Sequence, residues 1–190
     1  MHNIGNDIVD LNLAETESNW QRKGFLEKQF TKKEQQEICE ADTSFLTVWL
    51  FWSMKEAAYK CYTQKVKKRF FAPLKFECRL ISNNEGVVLY EGNKYHTITS
   101  FNSFYIHTIA KETDDEINFF LNIDSSETIH SDFKKQLAVQ TGILSEEIEK
   151  RKSVIGAPLF YHQQKLLTKS CSISHHGNYG AFVFILNNES

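Results

Sequence analysis

Cysteines are few in this chain of 190 residues, and none belongs to a paired motif. Cys39, Cys61, Cys78 and Cys171 are widely separated, and no C-x-x-C pair is present. This spacing lacks the signature of a zinc site or of a redox-active pair. We therefore predict four buried free thiols in a reduced, cytoplasmic protein.

Long hydrophobic runs are also missing. The densest apolar segment, residues 45–51, is far shorter than the roughly 20 residues that cross a bilayer. No apolar segment follows the first residues, as a signal sequence would require. These absences predict a soluble protein without a membrane partner.

Neither sign of charge is in large excess. The 22 basic and 24 acidic residues leave a net charge of −2, so no basic field favours nucleic acid as a partner. Hydrophobic residues make up 41% and charged residues 24% of the chain, which is ordinary for a globular protein and argues against disorder.

Aromatic residues, in contrast, are plentiful. Fifteen Phe, seven Tyr and three Trp favour a packed core built partly of β-strands. The length is sufficient for one large domain or for two small subdomains around a continuous core. Trp49 and Trp52 are predicted core residues.

Periodicity predicts an α+β chain with a polar boundary (DSSE) at residues 124–127. Up to residue 62 the predicted elements are a strand over 3–10, short helices between 13 and 42 with a capping box at Thr31 and Glu34, and a helix over about 45–62. Hairpin strands follow between 76 and 123, including one over 104–110. The last predicted elements are a helix near 128–142, a short helix from Ser145 to about 150–153, and a strand over 179–186.

Two acids on rigid elements are the strongest candidates for a functional site. Asp7 lies on the first predicted strand, and Glu56 lies on the long predicted helix, where Lys60 shares its face at i, i+4 spacing. Two carboxylates with a lysine one turn away suit a magnesium ion shared with a substrate phosphate. The pattern therefore indicates phosphate-transfer chemistry, with a surface ion pair between Glu56 and Lys60 as the structural alternative.

Three segments resemble the motifs of a known family. Residues 4–10 (IGNDIVD), 52–60 (WSMKEAAYK) and 172–175 (SISH) are similar to the three motifs of the 4′-phosphopantetheinyl transferase superfamily. The middle segment is the most specific of the three. The other two are weak alone and support the resemblance in combination with it. Between about 70 and 150 the likeness is only one of general character.

The resemblance implies a fold of two similar α+β lobes with antiparallel sheets packed on helices. In this chain the first lobe would be residues 1–124 and the second lobe residues 125–190. It implies a magnesium-dependent enzyme that transfers the 4′-phosphopantetheine arm of coenzyme A to a serine of an apo acyl or peptidyl carrier protein, releasing adenosine 3′,5′-bisphosphate. Asp7 and Glu56 would bind the magnesium, and Glu56 and Lys60 would be the catalytic pair. Lys60, Ser174 and His175 would contact coenzyme A.

The identity of the general base stays open. Lys60 as a base would need its ordinary pKa of about 10.4 lowered, which nearby magnesium favours. Its role as a fixed positive charge is favoured, with Glu56 or a metal-bound water taking the proton. Lys55, the neighbour of Glu56, is either a further coenzyme A contact or a solvated side chain.

The motif order is that of the small, trimeric holo-acyl-carrier-protein synthase type, although this chain is longer. We predict a two-lobed monomer, with a trimer of extended subunits as the alternative. Val9 stands where the large, two-lobed type carries a third acid, so that a water or Asp10 would complete the metal shell.

A second departure concerns the turn Gly156-Ala157-Pro158, which lacks the lysine of the family's G-K-P turn. The nucleotide-phosphate contact of that lysine would then fall to a basic residue elsewhere in the second lobe. The candidates are Lys150, Arg151, Lys152, Lys165 and Lys169.

A basic cluster follows the long helix: Lys65, Lys67, Lys68 and Arg69. It is either a set of cations favoured by the helix dipole or a dock for an acidic carrier protein or for coenzyme A phosphates.

His175 and His176 resemble a zinc pair, but no further ligand stands at zinc spacing. Two other functions stay open: a non-catalytic relative that binds coenzyme A or a carrier protein, and an unrelated α+β protein. Which carrier would be modified stays undecided.

Overall fold

The computed structural model describes residues 3–70 and 72–187 and confirms the predicted α+β class with antiparallel sheets packed on helices. Within these residues five α-helices accompany three sheets. The helices are α1 (Leu11–Glu17), α2 (Phe25–Gln29), α3 (Lys32–Glu40), α4 (Ser44–Val66) and α5 (Ile129–Thr141). None of them is both long and apolar enough to cross a membrane.

Five strands form the first sheet, in the order β1-β5-β4-β3-β2, and all neighbouring pairs are antiparallel. They are β1 (Ile4–Asp10), β2 (Glu77–Leu80), β3 (Glu85–Tyr90), β4 (Asn93–Phe101) and β5 (Tyr105–Lys111). Helix α4 lies across one face of this sheet with α3 against it, and Val48, Phe51 and Met54 are among its fully buried residues. Apolar residues around most of α4 explain why the helix is enclosed rather than lying on the surface.

The second sheet has the order β10-β11-β6 and carries α5 on one face. Three short strands, β7, β8 and β9, form a third sheet. The strands are β6 (Phe120–Ser125), β7 (Glu149–Lys152), β8 (Pro158–His162), β9 (Lys165–Leu166), β10 (Thr168–His176) and β11 (Tyr179–Leu186). Phe133 of α5 stacks on Phe160 with ring centroids 4.1 Å apart, and both are fully buried in this second core.

The first and second sheets meet along β1. This strand pairs with β5 by its backbone and also packs against β10 and β11. A small apolar cluster at the junction contains Ile4, Ile109, Val183 and Ile185. As a result, the serine–histidine segment of β10 lies beside the strand that carries Asp7.

Most predicted elements are confirmed at nearly their predicted bounds. The capping box is confirmed as well, because Thr31 Oγ1 accepts from the Glu34 amide and Glu34 Oε2 accepts from the Thr31 amide. The predicted helix from Ser145 to about 150–153 is wrong: a single 3₁₀ turn over Ser145–Glu147 is followed by β7. All four residues of β7 are exposed and charged, so this edge strand lacks the apolar alternation that identifies strands in a sequence.

Two predictions about buried residues need correction. Cys61, Cys78 and Cys171 are buried, but Cys39 is exposed. Its neighbour Ile38 occupies the inward face of α3, which leaves Cys39 on the solvent side. Trp49 is a core residue as predicted, whereas Trp52 is half-buried.

The predicted lobe boundary after residue 124 falls at the end of β6, a strand that pairs with β11 in the second sheet. The division into residues 1–124 and 125–190 stays a prediction.

Candidate active site

Gly5 allows β1 to approach α4 closely. A Cβ at this position would overlap the carbonyl oxygen of Ala57 and would lie 2.6 Å from the amide nitrogen of Cys61. Any larger residue would therefore push the strand away from the helix backbone. Residues two apart on a strand share a face, so Asp7 points toward α4 as well. The glycine brings the strand to the helix, and the aspartate presents a carboxylate to it.

Asp7 and Lys60 form a partly buried ion pair. The ammonium of Lys60 donates to Asp7 Oδ1 at 2.7 Å, and 28% of the lysine side chain remains exposed. The hydroxyl of Ser53 donates to the backbone oxygen of Asp7 at 3.4 Å. The aspartate is thereby held to α4 through both its side chain and its backbone.

Glu56 lies close to this pair. Asp7 and Glu56 line one cavity of about 200 Å³, whose other walls are Ile8, Val9, Trp49, Trp52, His175 and His176. Burial is the main reason that the pKa of Glu56 is raised; the charge of Asp7 raises this pKa further, and Lys60 opposes the rise. Burial also raises the pKa of Asp7, against the opposing effect of Lys60. The structure thus brings together the three residues that the sequence singled out.

This donor set fits a magnesium ion. Two carboxylates share a single ammonium, so the group carries excess negative charge when both acids are ionised, and burial makes that charge costly without a cation. Asp7 and Glu56 would hold the ion, since magnesium binds through one or two carboxylates and keeps several waters for substrate phosphates to replace. In the described ranges no group of three or more His, Cys, Asp and Glu side chains could hold a metal, so the alternative of a zinc site at the two histidines gains no support.

Asp10 has a structural role that keeps it from this group. Its Oδ1 accepts from the Leu13 amide and so caps α1, while its Oδ2 accepts from the Asn178 amide at 3.0 Å. Both carboxylate oxygens are therefore engaged with backbone donors. Asp10 or a water was expected to complete the metal shell, and these contacts favour the water.

The contacts of Lys55 agree with neither of its two predicted roles, a coenzyme A contact or a solvated side chain. Its ammonium donates to the Gln29 carbonyl at 3.0 Å, to Glu34 Oε2 at 2.8 Å and to the Pro73 carbonyl at 3.0 Å. All three donors are used, and only 3% of the side chain is exposed. Lys55 is one residue from Glu56 and so is rotated by about 100° around α4. Its ammonium binds protein groups there, and it does not line the cavity of Asp7 and Glu56.

The serine–histidine motif divides between two environments. Ser174 is 6% exposed, and its hydroxyl accepts from Asn6 Nδ2 at 3.2 Å. His175 is exposed at the cavity of Asp7 and Glu56. Asn6 Nδ2 also lies 3.2 Å from Nε2 of the buried His107, whose pKa is lowered to about 4 by burial and by the charge of Lys60. Sequence reasoning missed Asn6 and His107; the serines at every second position of β10 were the available signal.

The basic cluster does not act as one surface. Lys65 pairs with Glu112 at 3.1 Å, and Lys67 ends α4 in a left-handed conformation with φ of 52°. Lys68 is exposed. Arg69 reaches the turn before β8, where its Nε donates to the Ile155 carbonyl and its guanidinium lies against Gly156.

Arg69 therefore stands at the turn that lacks the expected lysine. Arg69, Gly156 and Lys60 line one cavity of about 360 Å³ between α4 and β10. Gly156 has a φ of 78°, and a Cβ there would overlap the guanidinium, so the glycine makes room for this side chain.

One comparison with known proteins, a family model, covers the first two of the three motifs. A solved structure, holo-[acyl-carrier-protein] synthase from Thermotoga maritima, is similar to this chain at 14% identity with a TM-score of 0.45, covering 87% of this chain and 86% of the other. No curated protein matches. The model of the 4′-phosphopantetheinyl transferase superfamily matches residues 3–116, a segment that includes Asp7, Glu56 and Lys60 and ends before β10. Because this match covers more than half of the sequence, the chain belongs to the 4′-phosphopantetheinyl transferase superfamily.

Proposed function

We propose that this protein is a magnesium-dependent enzyme of the holo-acyl-carrier-protein synthase type. It transfers the 4′-phosphopantetheine arm of coenzyme A to a serine of an apo acyl or peptidyl carrier protein and releases adenosine 3′,5′-bisphosphate. The observation that carries the proposal is the convergence of Asp7, Glu56 and Lys60 where β1, α4 and β10 meet, in a member of this superfamily.

The residues of the cavity divide the chemical work. Asp7 and Glu56 hold the magnesium, which when bound offsets the negative charge of the pyrophosphate. Lys60, fixed by its 2.7 Å contact with Asp7, supplies a point charge for a substrate phosphate. The proton of the attacking serine would pass to Glu56 or to a water held beside it.

Basic groups of the second lobe lie beside this cavity. The ring of His175 is 6.4 Å from that of His130, and His130 Nδ1 lies 2.9 Å from the ammonium of Lys150. Lys150 is one of the lysines considered as a replacement for the missing turn lysine. We assign His175 and Lys150 to the phosphates of coenzyme A, in place of the buried Ser174.

Arg69 supplies a second cation for coenzyme A, at the Gly156 turn. Arg69→Ala is expected to raise the KM for coenzyme A by about 10- to 100-fold, because a hydrogen bond to a charged group contributes about 1.5–3 kcal/mol. The kcat should change far less. Steady-state kinetics with varied coenzyme A measure both constants, and Lys68→Ala is the matched control for a nearby positive charge. An unchanged KM in Arg69→Ala would exclude this contact.

The active site is proposed to be complete within one chain. His175 and His176 of β10 line the same cavity as Asp7 and Glu56, so both lobes of a single molecule contribute to it. Light scattering after gel filtration should therefore give the monomer mass of 22.1 kDa. A species of three times that mass would instead favour the trimer of extended subunits.

The transfer itself is tested by incubating apo carrier proteins with coenzyme A, magnesium and the enzyme. Intact-mass spectrometry should detect the added phosphopantetheine on the carrier serine. Fatty-acid, polyketide and peptide-synthetase carriers are compared, since the carrier is not identified by the sequence. No mass gain on any carrier, together with measurable binding of coenzyme A, would favour the non-catalytic relative. The cytoplasmic location stays a prediction.

A further inference from the structure

The outer edge of β1 is closed by side chains of β10 instead of a further strand. The Ile4 amide donates to Ser170 Oγ at 2.9 Å, and the Asn6 amide donates to Ser172 Oγ at 3.1 Å. The Asp10 amide donates to His176 Nδ1 at 2.9 Å. Alternate amides of an edge strand point away from its paired neighbour, and here three such amides find side-chain acceptors.

The spacing on β10 explains this arrangement. Positions 170, 172, 174 and 176 lie on one face of the strand because side chains alternate with a period of two. The remaining member, Ser174, accepts from the side chain of Asn6. We call Ser170, Ser172, Ser174 and His176 the seam ladder. Its three serines are only 4–6% exposed, so the amides they satisfy have little access to water.

Asn6 is the residue through which the ladder reaches the active site. Its amide and its side chain both bind the ladder, and the next residue is Asp7, whose side chain points to the opposite face of β1. On that opposite face Gly5 already touches the backbone of α4. The strand is therefore held from both sides, and a shift at Asn6 moves the Asp7 carboxylate relative to Glu56 and Lys60.

We infer that the seam ladder is a positioning device, in which Ser172 and Ser174 hold the Asp7 carboxylate in place instead of contacting the nucleotide. This inference rests on the proposed function for its kinetic consequences. Its consequence for magnesium binding does not require turnover. The serines of the motif thereby have a role within the protein. Ser172 also borders the cavity of Arg69 and Gly156, and His175 is the member of the motif that faces the cavity of the two acids.

Ser172→Ala is the direct test, because it leaves the Asn6 amide without its acceptor. The expected result is a kcat reduced by about 10- to 100-fold, since a displacement of about 1 Å in a catalytic group can cost a factor of this size. The KM for coenzyme A should change by less than about threefold, because uniform binding is unaffected. Ser172→Thr keeps the hydroxyl and should restore most of the kcat. A raised KM with unchanged kcat would instead make Ser172 a coenzyme A contact and overturn the inference.

A second measurement separates this inference from the proposed function. Titration of magnesium in the absence of coenzyme A, followed by the rise in Tm, should show weaker binding in Ser172→Ala than in the wild type. Ser170→Ala is the matched control. It removes the acceptor of the Ile4 amide, two residues farther from Asp7, together with a bond to Gln64, and should change magnesium binding less. If both variants lost magnesium affinity equally, the seam ladder would only stabilise the fold and would not position Asp7.

A milder variant covers the case in which Ser172→Ala does not fold. Ser174→Ala removes one bond between side chains and leaves the bonds of the Ile4, Asn6 and Asp10 amides in place. It should weaken magnesium binding while preserving the fold. Wild-type magnesium binding in Ser174→Ala would exclude Ser174 from the device.

Discussion

Replacing Glu56 by glutamine is expected to reduce the transfer rate by about a thousandfold and, at the same time, to stabilise the protein in the absence of magnesium. The rate falls because the amide lacks both the charge that holds the metal and the basicity that accepts the serine proton. Stability rises because the buried carboxylate is costly when ionised, as its raised pKa indicates. A gain in stability with a loss of function is characteristic of residues kept for chemistry.

The stability change has a defined pH dependence. Because the folded state raises the pKa of Glu56, the protonated carboxyl favours folding below the ordinary glutamate range, and this contribution is lost as the pH rises through the raised value. Wild type should therefore match Glu56→Gln near about pH 4 and lose stability relative to it toward about pH 8. Calorimetric Tm values in metal-free buffer across this range measure the difference. Glu146→Gln, at an exposed position, is the control and should follow the wild type.

Magnesium reverses the order of stability at neutral pH. The ion offsets the charge of Asp7 and Glu56, so added magnesium should raise the Tm of the wild type and have little effect on Glu56→Gln. Equal stabilisation of both proteins would place the ion elsewhere. A transfer rate within a few-fold of wild type in Glu56→Gln would remove Glu56 from the catalytic site and with it the central element of the proposed function.

The sequence predicted that Asp7 and Glu56 share a site, but it did not predict which contact brings them together. Both residues were identified from sequence motifs. The strand and the helix that carry them are far apart in sequence, so only tertiary packing brings them together. The physical reason is Gly5, which lets β1 lie against the backbone of α4 at Ala57 and Cys61. The sequence contained this glycine in the motif, but the need for it becomes visible only when the helix stands beside it.

Sequence reasoning was least informative where contacts are polar and non-local. It predicted the capping box of Thr31 and Glu34 because both residues lie within one helical turn. It did not find that the same glutamate binds Lys55, since 21 residues separate them in the chain. The seam ladder was missed for the same reason: alternating serines on β10 indicate a strand face, and their partners on β1 are more than 160 residues away.

Lys55→Met is expected to lower the free energy of unfolding by about 3–5 kcal/mol, because breaking a buried ion pair leaves the remaining charge without its partner. Glu34 would keep its bonds from the amides of Thr31 and Cys78 but would be enclosed without a cation, at full burial. The lysine also joins the carbonyls of Gln29 and Pro73, so its loss loosens α2 and the turn before β2 from α4.

Urea denaturation of Lys55→Met, Glu34→Gln and the double variant measures this coupling, and the double variant should lose clearly less than the sum of the single losses. Lys65→Ala is the matched control, since the exposed pair of Lys65 with Glu112 should contribute no more than about 1 kcal/mol. The folded fraction of Lys55→Met should keep the wild-type KM for coenzyme A, because all three ammonium donors bind protein acceptors. A higher KM at unchanged stability would instead return Lys55 to the substrate site. The two outcomes differ in both observables, and the contacts of the ammonium favour the structural role.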